Sequence, residues 1–153
     1  MQSVTGAIRV GGYVKFLVAG TCYGISFYMT PNALRNNRGM FGLNGQTTHQ
    51  QFVGFYGFEL ETVAKWTSGF FRKPVKISAN QTYAMFVEIH NSMPYGLMVT
   101  AHSPDSDITR GNFLIPASVT GVPNGGTQTS QQISLPTSIG NAKPAIDVLF
   151  RQS

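Results

Sequence analysis

The stretch from 75 to 90, VKISANQTYAMFVEIH, constrains the fold of this chain more than any other because it alternates with a period of two residues. Val75 and Ile77 alternate with polar neighbours, residues 79–81 interrupt the pattern, and Tyr83 and Met85 then resume it. Successive side chains of a β-strand point to opposite faces, so this period is typical of strands that bury one face. The stretch therefore predicts two strands joined by a turn.

The same alternation recurs along most of the chain and predicts further strands. In 23–29 the alternating apolar residues, beginning with Tyr23 and Ile25, are expected to share one face of a strand. Residues 40–43 are expected to form a short strand within a loop. The segment 58–66 also fits a helix, but its neighbours alternate, so we interpret it as a strand. The predicted core contains the inward-facing residues of these strands: Phe16, Ile25, Phe27, Val75, Ile77, Tyr83, Met85, Val87, Val148 and Phe150.

Charged residues make up only 11% of the chain, whereas a typical soluble domain has roughly 25%. Their places are taken by Gly, Ser, Thr, Asn and Gln, most of which are poor helix formers. The 153 residues are enough for one domain with a sizeable core and few for two. We therefore predict one all-β domain over 1–153, a two-sheet antiparallel β-sandwich of jelly-roll type with about eight strands.

Residues 103–145 differ from the rest because turn-forming residues dominate and only two short apolar islands remain. A structureless loop longer than about 15 residues is uncommon in a compact domain and is usually functional. We expect this segment to be a loop-rich excursion that leaves the sandwich and returns to it with the apolar strand 146–150. Burial against a neighbouring subunit would offset the entropy lost when such a segment is ordered. The predicted intersubunit contacts are therefore the two islands, Phe113, Leu114, Ile115 and Pro116, and Ile133, Leu135 and Pro136.

The sequence contains few residues that could carry out catalysis or bind a metal. Cys22 is the single cysteine and lies in an apolar run, so it is predicted to be a buried, unreactive thiol. The three histidines, His49, His90 and His102, are far apart and do not have the spacing of metal ligands. No local signature of nucleophilic catalysis is present. We therefore predict that the chain is not an enzyme and has no metal site and no cofactor.

The net charge of +5 can indicate a polyanionic partner. The cations are scattered singly, however, apart from Arg72 with Lys73 and Arg35 with Arg38, and no cationic run is interleaved with aromatic residues. We therefore predict no nucleic-acid partner. No stretch reaches the roughly 18 apolar residues of a membrane-spanning helix, so no membrane partner is predicted. A charge-poor chain without a signal-peptide pattern fits a virion component that is made in the host cytoplasm and released by lysis.

Three segments carry a resemblance to a known family. The first runs from 62 to 90, the second is GISFYM at 24–29, and the third is IDVLF at 146–150. The matching residues of the first segment are Trp66, Phe70 or Phe71, Pro74, Val75, Ile77, Ala79, Thr82, Tyr83 and His90. In these segments the chain resembles the uncharacterised, jelly-roll-like β-sandwich domains of bacterial surface proteins and actinobacteriophage minor tail proteins. Lys65 stands where the family usually has glycine, and 103–145 has no clear counterpart. The resemblance implies a sandwich used in surface recognition or assembly, without catalytic residues.

These features predict a non-enzymatic structural virion protein of a bacteriophage, either a minor tail protein or a capsid decoration protein. Its expected partners are other virion proteins and further copies of itself in a homo-oligomer. The alternative is a carbohydrate-binding module that recognises host envelope glycans. The candidate glycan contacts are then Tyr95, which lies between Pro94 and Gly96 in a predicted turn, and Trp66. For Trp66 a core or edge-packing position is the preferred interpretation, because the residue directly precedes a predicted strand.

Overall fold

The computed structural model describes residues 9–29, 37–44, 51–55, 65–88, 99–100, 107–119, 122–124, 126–128, 137–138, 143–144 and 146–153. All regular secondary structure in these residues is β-strand, which confirms the predicted all-β class. Strands of five or more residues are β1 (Arg9–Phe16), β2 (Gly20–Met29), β3 (Asn37–Leu43), β4 (Gln51–Phe55), β5 (Lys65–Ile77), β6 (Thr82–Glu88) and β15 (Ile146–Gln152). Shorter strands between β6 and β15 are β7 (Val99–Thr100), β8 (Ile108–Arg110), β9 (Phe113–Ile115), β10 (Ser118–Val119), β11 (Val122–Pro123), β12 (Gly126–Gln128), β13 (Thr137–Ser138) and β14 (Lys143–Pro144). In the described part of the chain, no helix is long and apolar enough to cross a membrane.

The longer strands form two antiparallel sheets. In the larger sheet the order is β13-β12-β1-β6-β3-β4, and β9 pairs both with the end of β1 and with β8. The smaller sheet has the order β15-β2-β5. Two separate strand pairs, β10 with β11 and β7 with β14, complete the described strands. β1 and β2 belong to different sheets, as do β5 and β6, so the connections at 17–19 and 78–81 both cross from one sheet to the other.

The hydrophobic core lies between the two sheets, which makes the fold a β-sandwich. One cluster of buried side chains combines Phe16, Phe41 and Met85 of the larger sheet with residues of the smaller sheet such as Ile25 and Phe71. The rings of Phe16 and Phe41 meet edge to face with their centroids 6.3 Å apart. Each large apolar side chain buried in this way contributes about 1.5–3 kcal/mol relative to full exposure.

The predicted core is confirmed wherever its side chains are described. Seven of the ten predicted residues are buried: Phe16, Ile25, Phe27, Ile77, Tyr83, Met85 and Val148. Val75 and Phe150 are partly buried and pack against the same cluster. The side chain of Val87 lies outside the described residues. The short strand predicted at 40–43 is also confirmed, and it begins three residues earlier, at Asn37.

The larger sheet is apolar on its outer face as well. Tyr13, Met40, Ala84 and Phe86 form a second buried cluster there, and Val119 packs against it. These residues alternate along β1, β3 and β6 with members of the main core, as a period of two requires. Val119 belongs to the segment predicted to leave the sandwich. That segment therefore covers part of the larger sheet.

The described strands correct the expectation that 103–145 is an excursion outside the sandwich. β9 pairs with β1 at Lys15 and Phe16, and β12 pairs with β1 at its first three residues. Ile115 of β9 is buried in the main core. The edge of β1 that faces away from β6 needs hydrogen-bonding partners, and this segment supplies them.

Asn124 fills the gap that β12 and β9 leave along β1. Its side-chain oxygen accepts a hydrogen bond from the backbone N–H of Tyr13 at 2.7 Å, and its side-chain NH₂ donates to the carbonyl oxygen of Tyr13 at 2.9 Å. These two bonds replace those of a neighbouring strand. The backbone N–H of Asn124 donates to the carbonyl of Ala117, and the residue is 1% exposed. A residue of the turn-forming sequence PNGG is therefore part of the sheet.

Backbone hydrogen bonds join three connections at one end of the sandwich. The N–H of Asn80 donates to the carbonyl of Phe16, and the N–H of Leu17 donates to the carbonyl of Asn112. Asn80 has a φ of 63°, in the left-handed region that asparagine tolerates better than most residues. Gly111 has a φ of 56° in the two-residue turn between β8 and β9, where such a φ favours glycine. The crossings at 17–19 and 78–81 and this hairpin are therefore hydrogen-bonded to one another.

Candidate functional site

The smaller sheet has an outer face that points away from the core. On β2, Ile25 points into the core, so its neighbours Gly24 and Ser26 point outward. Residues opposite each other on antiparallel strands lie on the same face of the sheet. Phe70 of β5 lies opposite Gly24, and Ser68 lies opposite Ser26. The outer face is therefore formed by Gly24 and Ser26 together with these two residues and their counterparts on β15.

An irregularity in β2 adds Tyr23 to this face. The pairing register shifts between Cys22 and Gly24 against both neighbouring strands. Tyr23 is an extra residue in the ladder with β15, and in the ladder with β5 it lies opposite the four unpaired residues 71–74. A β-bulge of this kind redirects a side chain. Cys22 is fully buried, whereas Tyr23 is 38% exposed. The prediction that Tyr23 shares the inward face of Ile25 is therefore wrong, because the bulge breaks the alternation between them.

Two more aromatic side chains project from β5. Trp66 is 43% exposed and Phe70 is 71% exposed. They are four positions apart, which places them about 13 Å from each other along the strand. The next residue, Phe71, is only 6% exposed and belongs to the core. Large apolar side chains that are exposed together on one surface are typical of binding sites, whereas singly scattered ones are ordinary.

Four exposed cations border these aromatic residues. Arg151 of β15 and Lys76 of β5 both lie opposite Thr21 of β2, one on each side of it. Arg72 and Lys73 belong to the stretch of β5 that lies opposite the bulge. All four side chains are exposed. The aromatic–basic face is defined as Tyr23, Trp66, Phe70, Arg72, Lys76 and Arg151, and Lys73 is exposed beside it on β5.

Polar groups separate Trp66 from Phe70 on this surface. Ser68 lies between them on β5, and its hydroxyl is hydrogen-bonded to the hydroxyl of Ser26. Asp147 of β15 also lies opposite Ser26, on the side of β2 away from β5. Its carboxylate accepts a hydrogen bond from the backbone N–H of Val148 at 2.8 Å. The aromatic–basic face therefore has its cations at one end and a row of hydroxyl and carboxylate groups toward the other.

Of the two predicted glycan contacts, the structure describes only Trp66. Trp66 is 43% exposed, so a core position is wrong, whereas the edge-packing position stays a prediction, since β5 is an edge strand of the smaller sheet. Tyr95 lies outside the described residues, as do Ile133, Leu135 and Pro136. The glycan contact of Tyr95 and the intersubunit contacts of the other three residues therefore stay predictions.

The first apolar island of the predicted assembly segment is integrated into this chain's own fold. Ile115 and Pro116 are buried, and Phe113 is half-buried and packs against the main core. Leu114 is half-buried and pairs with Lys15. The island is not the exposed loop that the sequence led us to expect. Its predicted contacts with another subunit stay a prediction and are confined to the accessible parts of Phe113 and Leu114.

Burial makes Cys22 unsuited to nucleophilic chemistry. Desolvation raises the pKa of its thiol to about 12, although hydrogen bonding with the backbone of Gly24 acts in the opposite direction. A thiol with such a pKa stays protonated at neutral pH, and only the thiolate is a strong nucleophile. Cys22 is free and fully buried, so the prediction of a buried thiol is confirmed.

The absence of a metal site stays a prediction for the chain as a whole. His49, His90 and His102 lie outside the described residues. Among the residues that are described, no three His, Cys, Asp or Glu side chains are grouped in a way that could hold a metal ion.

Comparison of the chain with protein-family models, with curated proteins and with solved structures finds no match. The resemblance to β-sandwich domains of bacterial surface proteins and phage tail proteins therefore stays a prediction. Among the surfaces that the described residues form, the aromatic–basic face differs most in its chemistry from an ordinary solvated sheet.

Proposed function

We propose that this chain is a non-enzymatic structural protein of a bacteriophage virion, either a minor tail protein or a capsid decoration protein. It binds other virion proteins and further copies of itself. The observation that best supports these protein contacts is the incomplete burial of the apolar side chains Phe113 and Leu114 within the segment 103–145. The low charge content and the sequence resemblance support the virion setting.

Contacts between subunits involve the segment that follows β7. Phe113 and Leu114 keep part of their surface accessible, and Ile133, Leu135 and Pro136 complete the proposed contact. Deleting 117–132 would be a poor test, because it would remove Asn124 and β12 from the edge of β1. Leu114→Ser is the better variant, since it changes a half-buried residue and keeps the backbone pairing of β9.

Immunogold electron microscopy of purified phage particles that encode this chain tests the virion assignment. Label on the tail identifies a tail protein and label on the head identifies a decoration protein. Intact particles without label, from lysates that contain the soluble protein, would exclude both. Light scattering coupled to gel filtration tests self-association, and Leu114→Ser should shift an oligomer toward the monomer, whereas Thr109→Ser, an exposed change on the neighbouring strand, should not.

The second candidate function is recognition of host envelope glycans by a carbohydrate-binding module. The exposure of Trp66 supports it, because an indole ring that is partly open to solvent can stack on the apolar face of a sugar ring. A glycan array probed with the isolated chain and with Trp66→Ala tests this function. Saturable binding to an envelope glycan that the variant loses is the expected result, and equal binding by both proteins would contradict a role for Trp66.

A further inference from the structure

We infer that the aromatic–basic face binds an anionic polysaccharide, a sugar polymer in which some residues carry carboxylate or phosphate groups. This inference rests on the second proposed function, glycan recognition, and names the class of glycan. It follows from three properties of the face: the spacing of its aromatic side chains, the polar groups between them, and the position of its cations.

The aromatic side chains provide separate stacking positions along a flat surface. Trp66 and Phe70 project from the same face of β5, four positions and about 13 Å apart. Tyr23 is exposed at the bulge of the adjacent strand β2. Sugar rings have apolar C–H faces that stack on aromatic rings, and several rings in sequence suit an extended chain better than a single compact ligand.

The groups between the stacking positions match the hydroxyl groups of sugars. Ser68 lies between Trp66 and Phe70, and its hydroxyl can both donate and accept. Asp147 adds a carboxylate in the same row, and a carboxylate accepts hydrogen bonds from sugar hydroxyls. An apolar protein surface docked over this row would bury Asp147 without a cationic partner, which is costly. The polar row therefore favours a hydroxylated ligand over an apolar protein patch.

The cations account for the anionic character of the ligand. Arg151 and Lys76 flank Thr21 on the outer face, and Arg72 and Lys73 lie opposite the bulge. A second copy of this chain would bring its own cations against these, so the face is a poor dimer interface. Carboxylate and phosphate groups are the usual partners of an exposed arginine side chain.

Single-stranded nucleic acid is the competing polyanion, since its bases also stack on aromatic side chains. Every nucleotide carries a charge, so a nucleic acid needs cations along its whole path. On this face the described cations gather near the bulge and the Arg151–Lys76 row, whereas Asp147 lies in the row beside Ser26 and would repel a phosphate there. A polysaccharide that is charged on only some of its sugars fits this uneven distribution better.

The experiment measures binding of the full chain to two matched pairs of polymers by titration calorimetry at low salt. The pairs are polygalacturonate with its methyl-esterified form, and dextran phosphate with dextran. Oligo(dT) and polyglutamate serve as the other polyanions. Trp66 is the only tryptophan of the chain, so its fluorescence reports whether a bound polymer reaches this face.

Three variants locate the site. Arg151→Gln removes one cation of the face and should weaken binding about fivefold, as expected for one exposed ion pair. Phe70→Ser removes the most exposed aromatic ring and should weaken binding about tenfold. Arg110→Gln is the matched control, because Arg110 is also an exposed arginine on a strand but belongs to β8 of the larger sheet. It should bind as the parent does. Circular dichroism confirms that each variant is folded.

The expected result is binding to polygalacturonate, dextran phosphate or both, with a change in Trp66 fluorescence, weakened by salt and by both face variants. Binding of polygalacturonate identifies carboxylate as the recognised group, and binding of dextran phosphate identifies phosphate. Equal binding of the methyl-esterified polymer would overturn the anionic requirement but leave glycan recognition standing. Tighter binding of oligo(dT) or polyglutamate than of either acidic glycan would overturn the inference, as would an equal loss in Arg110→Gln. If no sugar polymer binds and the glycan array is also negative, both the inference and glycan recognition fail.

Discussion

Replacing Asn124 with alanine should destabilise the fold far more than a change in a turn normally does. The side chain is buried and makes two hydrogen bonds with the backbone of Tyr13, at 2.7 and 2.9 Å. Asn124→Ala removes both bonds and leaves a donor and an acceptor of β1 without partners. Each unsatisfied buried group costs about 1–3 kcal/mol. We therefore expect the free energy of unfolding to fall by about 3 kcal/mol.

Urea denaturation provides the measurement, because a shift in midpoint at constant slope reports a change in stability. Asn112→Ala is the matched control: the side chain of Asn112 is exposed and bonds only to Gln152 among the contacts described, at 3.4 Å. Its change should stay within about 0.5 kcal/mol, as is usual for exposed positions. Hydrogen exchange adds a local readout, since the amide of Tyr13 should lose protection in Asn124→Ala and keep it in the control.

The variant Asn124→Asp separates hydrogen bonding from packing. Aspartate has nearly the same shape and can still accept from the N–H of Tyr13, but its second oxygen cannot donate to the carbonyl of Tyr13 when ionised. It should therefore be as unstable as the alanine variant at neutral pH and recover partly as the carboxyl is protonated. A loss below about 1 kcal/mol in Asn124→Ala, with the Tyr13 amide still protected, would refute the role of Asn124 as a substitute for a strand.

Three further outcomes follow from the smaller sheet. In Gly24→Ala the new β-carbon would collide with the carbonyl oxygen of Gly69, so thermal or urea denaturation should show a loss of about 1–3 kcal/mol; a stability equal to that of the parent would contradict this close approach. Because the folded state raises the pKa of Cys22 from 9.0 to about 12, the free energy of unfolding should be unaffected by this group below about pH 9 and then fall by about 1.4 kcal/mol per pH unit. Urea titrations between pH 8 and 10.5 should show this slope reduced in Cys22→Ala, and an unchanged slope would assign the alkaline sensitivity to other groups. Finally, Phe71→Ala should cost about 3–5 kcal/mol, whereas Phe70→Ala should stay within about 0.5 kcal/mol; similar losses in the two variants would mean that the two faces of β5 are misassigned.

The sequence predicts the strands of this sandwich well because the burial of one face imposes a period of two. Tyr83 and Met85 are recognisable as core residues from their alternation alone, and both are buried. The prediction reaches its limit where apolar residues occupy both parities, as they do in β6. Ala84 and Phe86 are buried as well, on the outer face of the larger sheet. A continuous apolar run indicates that both faces are covered, but it does not say which other segment covers the second face.

The candidate site was only partly predictable. Trp66 is recognisable as a candidate contact, but its exposure depends on the inner positions of β5 being filled by other residues such as Phe71. Arg151 and Lys76 are 75 residues apart in sequence, and only the pairing of both strands with β2 brings them to either side of Thr21. The scattered cations that argued against a polyanionic partner are therefore gathered by the fold. Local sequence patterns contain no information about such pairing.

The bulge at Tyr23 links the core to the aromatic–basic face. In a regular strand, Cys22 and Ile25 would point to opposite sides, because three steps separate them. One extra residue allows both to face the core and leaves Tyr23 and Gly24 outside. The absence of a side chain at Gly24 then permits the close approach of the backbone of β5. Removing the bulge to change the outer face would turn either Cys22 or Ile25 toward solvent, so the binding surface and the core of the smaller sheet depend on the same irregularity.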